Sequence, residues 1–175
     1  MKDVKHGEKR FTIYDLRFTN ILLILRDWFF IAVMIVVFIY DLRWFLILDI
    51  VTLPACAIIL ALNLSLGLDW KNLLLSGIIG GSFFLFQFVV SRGKWIGGGD
   101  IRLGVLMGLF FSWPNIVLAI FLAYIIGSVI SVGLVLFSKK KWNSEVPLGV
   151  FLTTSSVIIM FWGDGILNWY INLIT

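Results

Sequence analysis

The chain has 175 residues, of which 61% are hydrophobic and only 14% are charged, and its mean hydropathy is +1.04. Soluble domains are typically about half apolar and about a quarter charged, so these values exclude a soluble globule and a disordered chain and indicate an integral membrane protein. One cysteine, Cys56, and one histidine, His6, argue against a disulfide framework and a Cys or His metal site, so we expect no metal and no cofactor. The net charge of +4 is interpreted as loop topology rather than nucleic-acid binding.

Residues 1–27 form a polar stretch that carries six Lys and Arg side chains. The stretch lacks a short apolar core followed by a small-residue cleavage site, so we expect no cleavable secretory signal. The apolar residues 21–25 are too few to span a bilayer and fit an interfacial helix that leads into the first span. We therefore divide the chain into a tail, 1–27, and a membrane core, 28–175.

Six apolar segments follow the tail. Because a span needs about 20 residues, the predicted fold is all-α, a polytopic integral membrane helical bundle of about six transmembrane helices. Gly77, Gly80 and Gly81 lie in the third segment, where small residues let membrane helices approach closely. The Gly-Asp-Gly run at 163–165 predicts a break, followed by an interfacial tail. The predicted spans are 28–40 continuing toward 48, 50–66, 73–90, 101–111, 116–137 and 146–162.

The charges alone do not orient the bundle. If six spans alternate, seven basic residues lie on one side, which the positive-inside rule makes cytoplasmic. The other side carries Lys71 and the six basic residues of the tail, so the count is seven against seven. A tail that folds back through residues 11–25 would remove the conflict. The seven basic residues on the first side are Arg43, Arg92, Lys94, Arg102 and Lys139 to Lys141.

Two acidic residues follow the first apolar segment. Asp41 comes after thirteen apolar or aromatic residues, 28–40. A carboxylate buried in a bundle at that place is costly and is usually functional, and the alternative is a boundary residue paired with Arg43. Asp49 is interpreted as an ordinary cap of the second span, although an unbroken helix would place it on the same face as Asp41.

A third acid, Asp100, ends the run Gly97-Gly98-Gly99-Asp100 and opens an apolar helix. One interpretation is an N-cap after a flexible loop. Three consecutive glycines exceed what a cap needs, however, because they let the backbone and the carboxylate lie close to another segment. They also leave N–H groups unshielded near the start of a helix. The pattern therefore favours a functional role.

Two carboxylates that meet at the membrane surface would form an acid–base pair. Because like charges a few ångströms apart do not both ionise easily, the pair shares one proton. The ionised member takes a proton from water, while the neutral member protonates or hydrogen-bonds a peptide carbonyl, giving a gem-diol without an acyl-enzyme. The sequence has no other good catalytic set: no histidine lies near a serine, Cys56 lacks a basic partner in sequence, and the phosphate-binding motif G-x-x-x-x-G-K-[ST] is absent.

The segment 97–103, Gly-Gly-Gly-Asp-Ile-Arg-Leu, resembles the G-x-G-D-hydrophobic-Lys-Leu signature of the type IV prepilin peptidases, which are GxGD-type intramembrane aspartyl proteases. Segment 41–54 resembles the first-aspartate segment of that family, in which Asp is followed after seven residues by Asp or Asn and then by hydrophobic-hydrophobic-Thr-Leu-Pro. Segment 146–152 resembles the late Pro-Phe-Gly-Pro-Phe-Leu segment. Order and separation also agree, so the resemblance covers about residues 28–165.

The resemblance implies that Asp41 and Asp100 are the catalytic pair. Three residues depart from the family pattern: Arg102 stands in place of a lysine, and Leu48 and Val150 stand in place of prolines. Arg and Lys differ in geometry, so the details of the loops are affected. The implied loop-shaping residues are Gly97, Gly98, Gly99 and Arg102, and the implied supporting residues are Asp49, Pro147 and Gly149.

Members of this family cut the leader peptide of prepilins and pseudopilins after a glycine at the cytoplasmic membrane surface. The resemblance thus implies an aspartic-type endopeptidase of the cell membrane with its active site facing the cytoplasm, and a prepilin or pseudopilin partner whose apolar helix docks among the spans. Many bacterial members carry an insert with paired CxxC zinc motifs and N-methyltransferase activity. The chain lacks the cysteines for it, so we expect a minimal, peptidase-only form. An archaeal-type preflagellin peptidase and a non-catalytic assembly or transport protein are the alternatives, and the oligomeric state stays open.

Overall fold

The computed structural model describes residues 13–137 and 146–174. The predicted lysine-rich loop, 138–145, and the first part of the predicted tail, 1–12, lie outside the described residues. The described part of the chain forms helices joined by short connections and contains no strand, so the all-α prediction is confirmed. The helices are α1 (Ile13–Trp44), α2 (Asp49–Ser65), α3 (Trp70–Ser91), α4 (Gly98–Phe111), α5 (Asn115–Phe137) and α6 (Leu148–Ile174).

Four of these helices are long and apolar enough to cross a bilayer. Large apolar side chains such as Phe86, Val129 and Leu136 point outward and are exposed, as lipid-facing side chains are. The shorter helices α2 and α4 have 17 and 14 residues. The chain is therefore a multi-pass helical membrane protein. The four candidate spans are Arg17–Trp44, Trp70–Ser91, Asn115–Leu134 and Leu148–Leu173.

Helix α4 is the central helix of the bundle. It packs against α2, α3, α5 and α6, and most of its side chains are buried. Its contact with α3 is made by glycine: a Cβ on Gly104 would lie 2.6 Å from the Gly80 carbonyl oxygen, and a Cβ on Gly108 would lie 2.7 Å from the Gly77 Cα. The prediction that small residues of the third segment allow close helix approach is confirmed.

The ends of α1 differ from the predicted first span. The chain is already helical at Ile13, the first described residue, rather than from near residue 28, because 13–44 contains neither Gly nor Pro to interrupt the helix. It ends at Trp44 rather than continuing toward residue 48, because Phe45 takes the left-handed conformation at φ 53°. Residues 45–48 thus form a separate linker to α2.

The predicted break at 163–165 is wrong, since α6 is helical through this run. Gly163 lies against α5: a Cβ there would be 3.8 Å from the side chain of Asn115, and 2.9 Å from the Ile159 side chain within α6. The Asn115 Nδ2 amide donates a hydrogen bond to Asp164 Oδ1 over 3.1 Å. Packing against α5 therefore keeps helical a segment whose local composition disfavours a helix.

Candidate active site

The alternation of the helices brings three chain segments to one end of the bundle: the α1–α2 linker, the α3–α4 loop and the start of α6. Asp41 lies in the last turn of α1 with 5% of its surface exposed, and Asp100 lies in the first turn of α4 with 6% exposed. Both line one cavity of about 300 Å³, which we call the aspartate cavity. The structure thus brings together the two carboxylates that the sequence singles out.

Asp41 is held by the start of α6. The Val150 backbone N–H donates a hydrogen bond to Asp41 Oδ2 over 3.0 Å. N–H groups in the first turn of a helix have no partner within the helix and favour a negative charge, so α6 receives the carboxylate as it would a cap. The alternative of an ion pair between Asp41 and Arg43 is wrong, because the Arg43 guanidinium lies over the Trp44 ring instead, 5.1 Å from its centroid.

Gly149 makes this approach feasible. A Cβ at position 149 would lie 2.7 Å from Asp41 Oδ2, a distance that real Cβ contacts do not reach. Pro147 directly precedes α6 and lines the aspartate cavity. The structure thus places both of these residues beside Asp41, and their supporting roles stay predictions.

Asp100 is held within its own loop. The N-cap of α4 is Gly97, and the Gly97 N–H donates to Asp100 Oδ2 over 2.9 Å. Asp100 is therefore the third residue of the helix, reaching back to the cap as the acid of a capping box does. The interpretation of Asp100 as the N-cap itself is wrong. No hydrogen bond from the residues that the structure describes reaches its other oxygen, Oδ1.

The three glycines before Asp100 have different surroundings. A Cβ on Gly99 would lie 2.6 Å from the Ile47 Cβ, so only glycine allows the loop to approach the α1–α2 linker this closely. A Cβ on Gly98 would meet nothing within 4 Å, and a Cβ on Gly97 would be 3.6 Å from Asp100 Oδ2. Close approach to another segment therefore depends on Gly99.

Ile47 is a site residue that sequence reasoning missed. It is buried, its Cβ faces Gly99, and its Cδ1 would lie 3.2 Å from a Cβ on Gly149. It is thus wedged between the glycine beside Asp100 and the glycine beside Asp41. In a largely apolar chain, the sequence does not distinguish this isoleucine from the many other apolar residues. Trp95, which is 71% exposed, also lines the cavity.

Asp49 and Arg102 lie outside the aspartate cavity and form an ion pair with each other. The pair joins the first turn of α2 to α4. The interpretation of Asp49 as the cap of α2 is wrong, because Leu48 is the N-cap and makes no side-chain capping bond, while Asp49 is the first helical residue. The loop-shaping role expected of Arg102 and the supporting role expected of Asp49 stay predictions.

Comparison with known proteins assigns the family. A family profile with the description "Type IV leader peptidase family" matches residues 28–132, which is more than half of the chain. A prepilin leader peptidase/N-methyltransferase of Legionella pneumophila is 34% identical over 77 residues, covering 44% of this chain and 27% of the relative. A protein of the same description from Bacillus subtilis strain 168 is 26% identical over 145 residues, covering 82% and 58%.

A third such protein, from Aeromonas salmonicida, is 27% identical over 92 residues, which cover 53% of this chain and 31% of the relative. The chain therefore spans between about a quarter and three fifths of the length of these relatives. No solved structure matches the chain. The aspartate cavity includes Asp41 and Asp100, both inside the matched range. The match and the residues within it show that this chain belongs to the type IV leader peptidase family.

Proposed function

We propose that this protein is an intramembrane aspartyl endopeptidase that removes the leader peptide of type IV prepilins or pseudopilins. The observation that carries the proposal is the shared cavity: Asp41 and Asp100, from the end of α1 and the start of α4, are both buried and both line it. Family membership and the description of the relatives as prepilin leader peptidase/N-methyltransferases support the same reaction.

The proposed chemistry uses one carboxylate as base and the other as acid. One oxygen of each aspartate accepts a backbone N–H, from Val150 to Asp41 and from Gly97 to Asp100, and these bonds fix the direction of both carboxyl groups. The ionised member removes a proton from water as the water attacks the scissile carbonyl, and the protonated member donates to the carbonyl oxygen. The gem-diol then collapses, the C–N bond breaks, and the amine leaves with a proton from the pair.

The proposed site is cytoplasmic and at the membrane surface. The end of the bundle that carries the aspartate cavity also carries Arg43, Arg92 and Lys94. Because the charges balance between the two sides, the proposed orientation rests on the family resemblance, whose members cut at the cytoplasmic surface. The scissile bond of a membrane-anchored substrate lies at such a surface. The proposed location is the cell membrane, with an archaeal-type preflagellin peptidase as the alternative within this class.

A non-catalytic assembly or transport protein is the second alternative, because carboxylates within membrane bundles also mark proton paths. It predicts pH-dependent flux in proteoliposomes without cleavage of any peptide. The aspartates of this chain lie at one end of the bundle, and no observation favours a path through its length. The peptidase is therefore the function that the geometry supports best.

The test is leader removal from a co-expressed type IV prepilin. Asp41→Asn and Asp100→Asn keep the size of the side chains and remove the acid–base groups, so each is expected to abolish cleavage. Asp164→Asn, at the other end of the bundle, is the matched control and should cleave like the unaltered protein. Cleavage that persists in both Asp41→Asn and Asp100→Asn would refute the mechanism.

A further inference from the structure

A second cavity of about 330 Å³ lies between α3, α5 and α6, beside the aspartate cavity. We call it the side groove. Its floor is formed by Ala123, Gly127 and Phe151, and its rim by Gln87, Ser128 and Ser131. Trp95, Ile96, Val146 and Leu148 line both cavities, so the side groove directly adjoins the aspartate cavity.

The floor of the side groove is apolar and closely packed. Ala123 is fully buried, and a Cβ on Gly127 would lie 2.8 Å from the Phe151 ring. Ala123, Gly127 and Ser131 are spaced four residues apart on α5 and therefore lie on one helix face. Small residues of this kind allow close contact between membrane helices. The groove is much smaller than a helix, which is about 10–12 Å across, so it accommodates the side chains of one helix face.

The rim carries a hydrogen-bond donor that no other described residue of the chain uses. The Tyr124 hydroxyl donates to Gln87 Oε1 over 2.8 Å. The Gln87 amide nitrogen, Nε2, has no hydrogen-bond partner among the residues that the structure describes. Both residues belong to candidate spans, where an unpaired N–H is costly. The groove is thus suited to an occupant that is mainly apolar and presents a hydrogen-bond acceptor to the rim.

We propose that the side groove receives the apolar helix that follows the leader in the substrate, and that Gln87 and Tyr124 select among such helices. This inference rests on the proposed peptidase function. The substrate helix approaches sideways from the lipid, with one face on α5 and α6. Its leader end then extends past Trp95 into the aspartate cavity, because Trp95 lies at the junction of the two cavities. The helix carries an acceptor that pairs with Gln87 Nε2.

The first test is site-specific photocrosslinking in the full chain, with Asp100→Asn present to prevent turnover. A benzophenone amino acid at position 128, on the groove rim, is compared with one at position 129, which is exposed on the same helix and does not line the groove. With a type IV prepilin in proteoliposomes, position 128 should crosslink to the prepilin at least fivefold more than position 129. Equal crosslinking at both positions, or crosslinks from position 128 only to lipid or to a second copy of the chain, would overturn the proposal.

The second test separates binding of the helix from chemistry. Gln87→Leu and Ser128→Trp are assayed with the whole prepilin and with a peptide that contains the leader and the cleavage junction but no helix. Each variant should raise KM for the whole prepilin by about tenfold, the scale of one lost hydrogen bond or one blocked contact. Neither should change kcat by more than about twofold, and neither should alter kcat/KM for the short peptide. Val129→Trp, on the lipid face, is the matched control and should leave both substrates unaffected.

The outcomes distinguish the two proposals. If Asp41→Asn and Asp100→Asn abolish cleavage while Gln87→Leu and Ser128→Trp leave KM for the whole prepilin unchanged, the peptidase function stands and the side groove is not the docking site. If the aspartate variants still cleave, the peptidase mechanism fails whatever the groove variants show. If the unaltered protein does not cleave the short peptide, the crosslinking contrast between positions 128 and 129 decides the docking proposal by itself.

Discussion

The Val150 backbone N–H donates to Asp41 Oδ2 over 3.0 Å, so the start of α6 holds a carboxylate that belongs to α1. The resembling family segment has proline at this position, and proline has no N–H to donate. The bond is therefore available here because Val150 departs from the family pattern. From the sequence, the replacement of proline by Val150 affects only the details of a loop. In the structure, the backbone N–H that it provides binds a proposed catalytic carboxylate.

Val150→Pro is the first prediction. Val150 is the third residue of α6, where a proline is tolerated because first-turn N–H groups lack helical partners. We expect folding to be retained and cleavage of a prepilin to fall by about 10- to 100-fold, the scale of one hydrogen bond to a charged group. Thermal unfolding in detergent and initial cleavage rates measure the two effects. Complete loss of cleavage in a folded variant would show that the bond is indispensable.

Gly149→Ala is the second prediction. The added methyl group would occupy space 2.7 Å from Asp41 Oδ2, so either the carboxylate or the start of α6 must move. Displacement of a reacting group by about 1 Å costs about 100-fold in rate, so kcat should fall by about that factor. Gly165→Ala, on the same helix with nothing within 4 Å, is the control and should retain its rate. A rate for Gly149→Ala equal to the control would contradict the assigned role of Gly149.

The Asp49–Arg102 pair supplies the third prediction. Both side chains are about half exposed, and exposed ion pairs contribute about 0–1 kcal/mol. Asp49→Ala and Arg102→Ala should each reduce the free energy of unfolding by no more than about 1 kcal/mol, and both should still cleave. The double variant measures the coupling between the two residues. Abolition of cleavage by either single variant would show that the pair acts on the catalytic loop directly.

The α3–α4 contact supplies the fourth prediction. Any side chain on Gly104 meets the Gly80 carbonyl oxygen and the Phe84 ring. Gly104→Val should therefore destabilise the bundle by about 1–3 kcal/mol or more, as overpacking of a core does. Gly133→Val, on α5 with nothing within 4 Å, is the matched control and should unfold at the temperature of the unaltered protein. Equal unfolding temperatures for the two variants would contradict the close approach.

The orientation of the bundle supplies the fifth prediction. In a Cys56→Ser background, Lys94→Cys places a thiol at the aspartate-cavity end and Lys71→Cys places one at the opposite end. With intact spheroplasts, a membrane-impermeant maleimide should label position 71 at once and position 94 only after permeabilisation. The reverse pattern would place the aspartate cavity outside the cytoplasm and refute the proposed location.

Sequence reasoning predicts the helices well, because their signals are local. Long apolar runs give the six helices, and alternation of the helices then requires the α1 end and the α4 start, with Asp41 and Asp100, to lie at the same end of the bundle. The glycines of the third segment mark the α3–α4 contact, since small residues in a membrane helix have few other uses. These features depend on composition and on the order of segments along the chain.

The remaining features of the site depend on contacts between distant segments. Ile47 acts as a wedge only because Gly99 and Gly149 approach it from two other segments. The donor to Asp41 is a backbone group, and every non-proline residue has one. The Gly-Asp-Gly run indicates a break, yet α6 continues because Asn115 pairs with Asp164. The sequence pattern of one segment does not indicate which residues of a distant segment it contacts.

The two anchors of the aspartates differ in how far along the chain they reach. Asp100 is tied to Gly97, three residues earlier, so its bond can form as soon as α4 does. Asp41 is tied to Val150, at a sequence separation of 109 residues. During synthesis, which proceeds from the N-terminus, Asp41 lacks this partner until α6 has left the ribosome and entered the membrane. A nascent chain truncated before α6 would contain both acids and would still lack the backbone donor to Asp41, so the arrangement of the two carboxylates depends on the docking of α6.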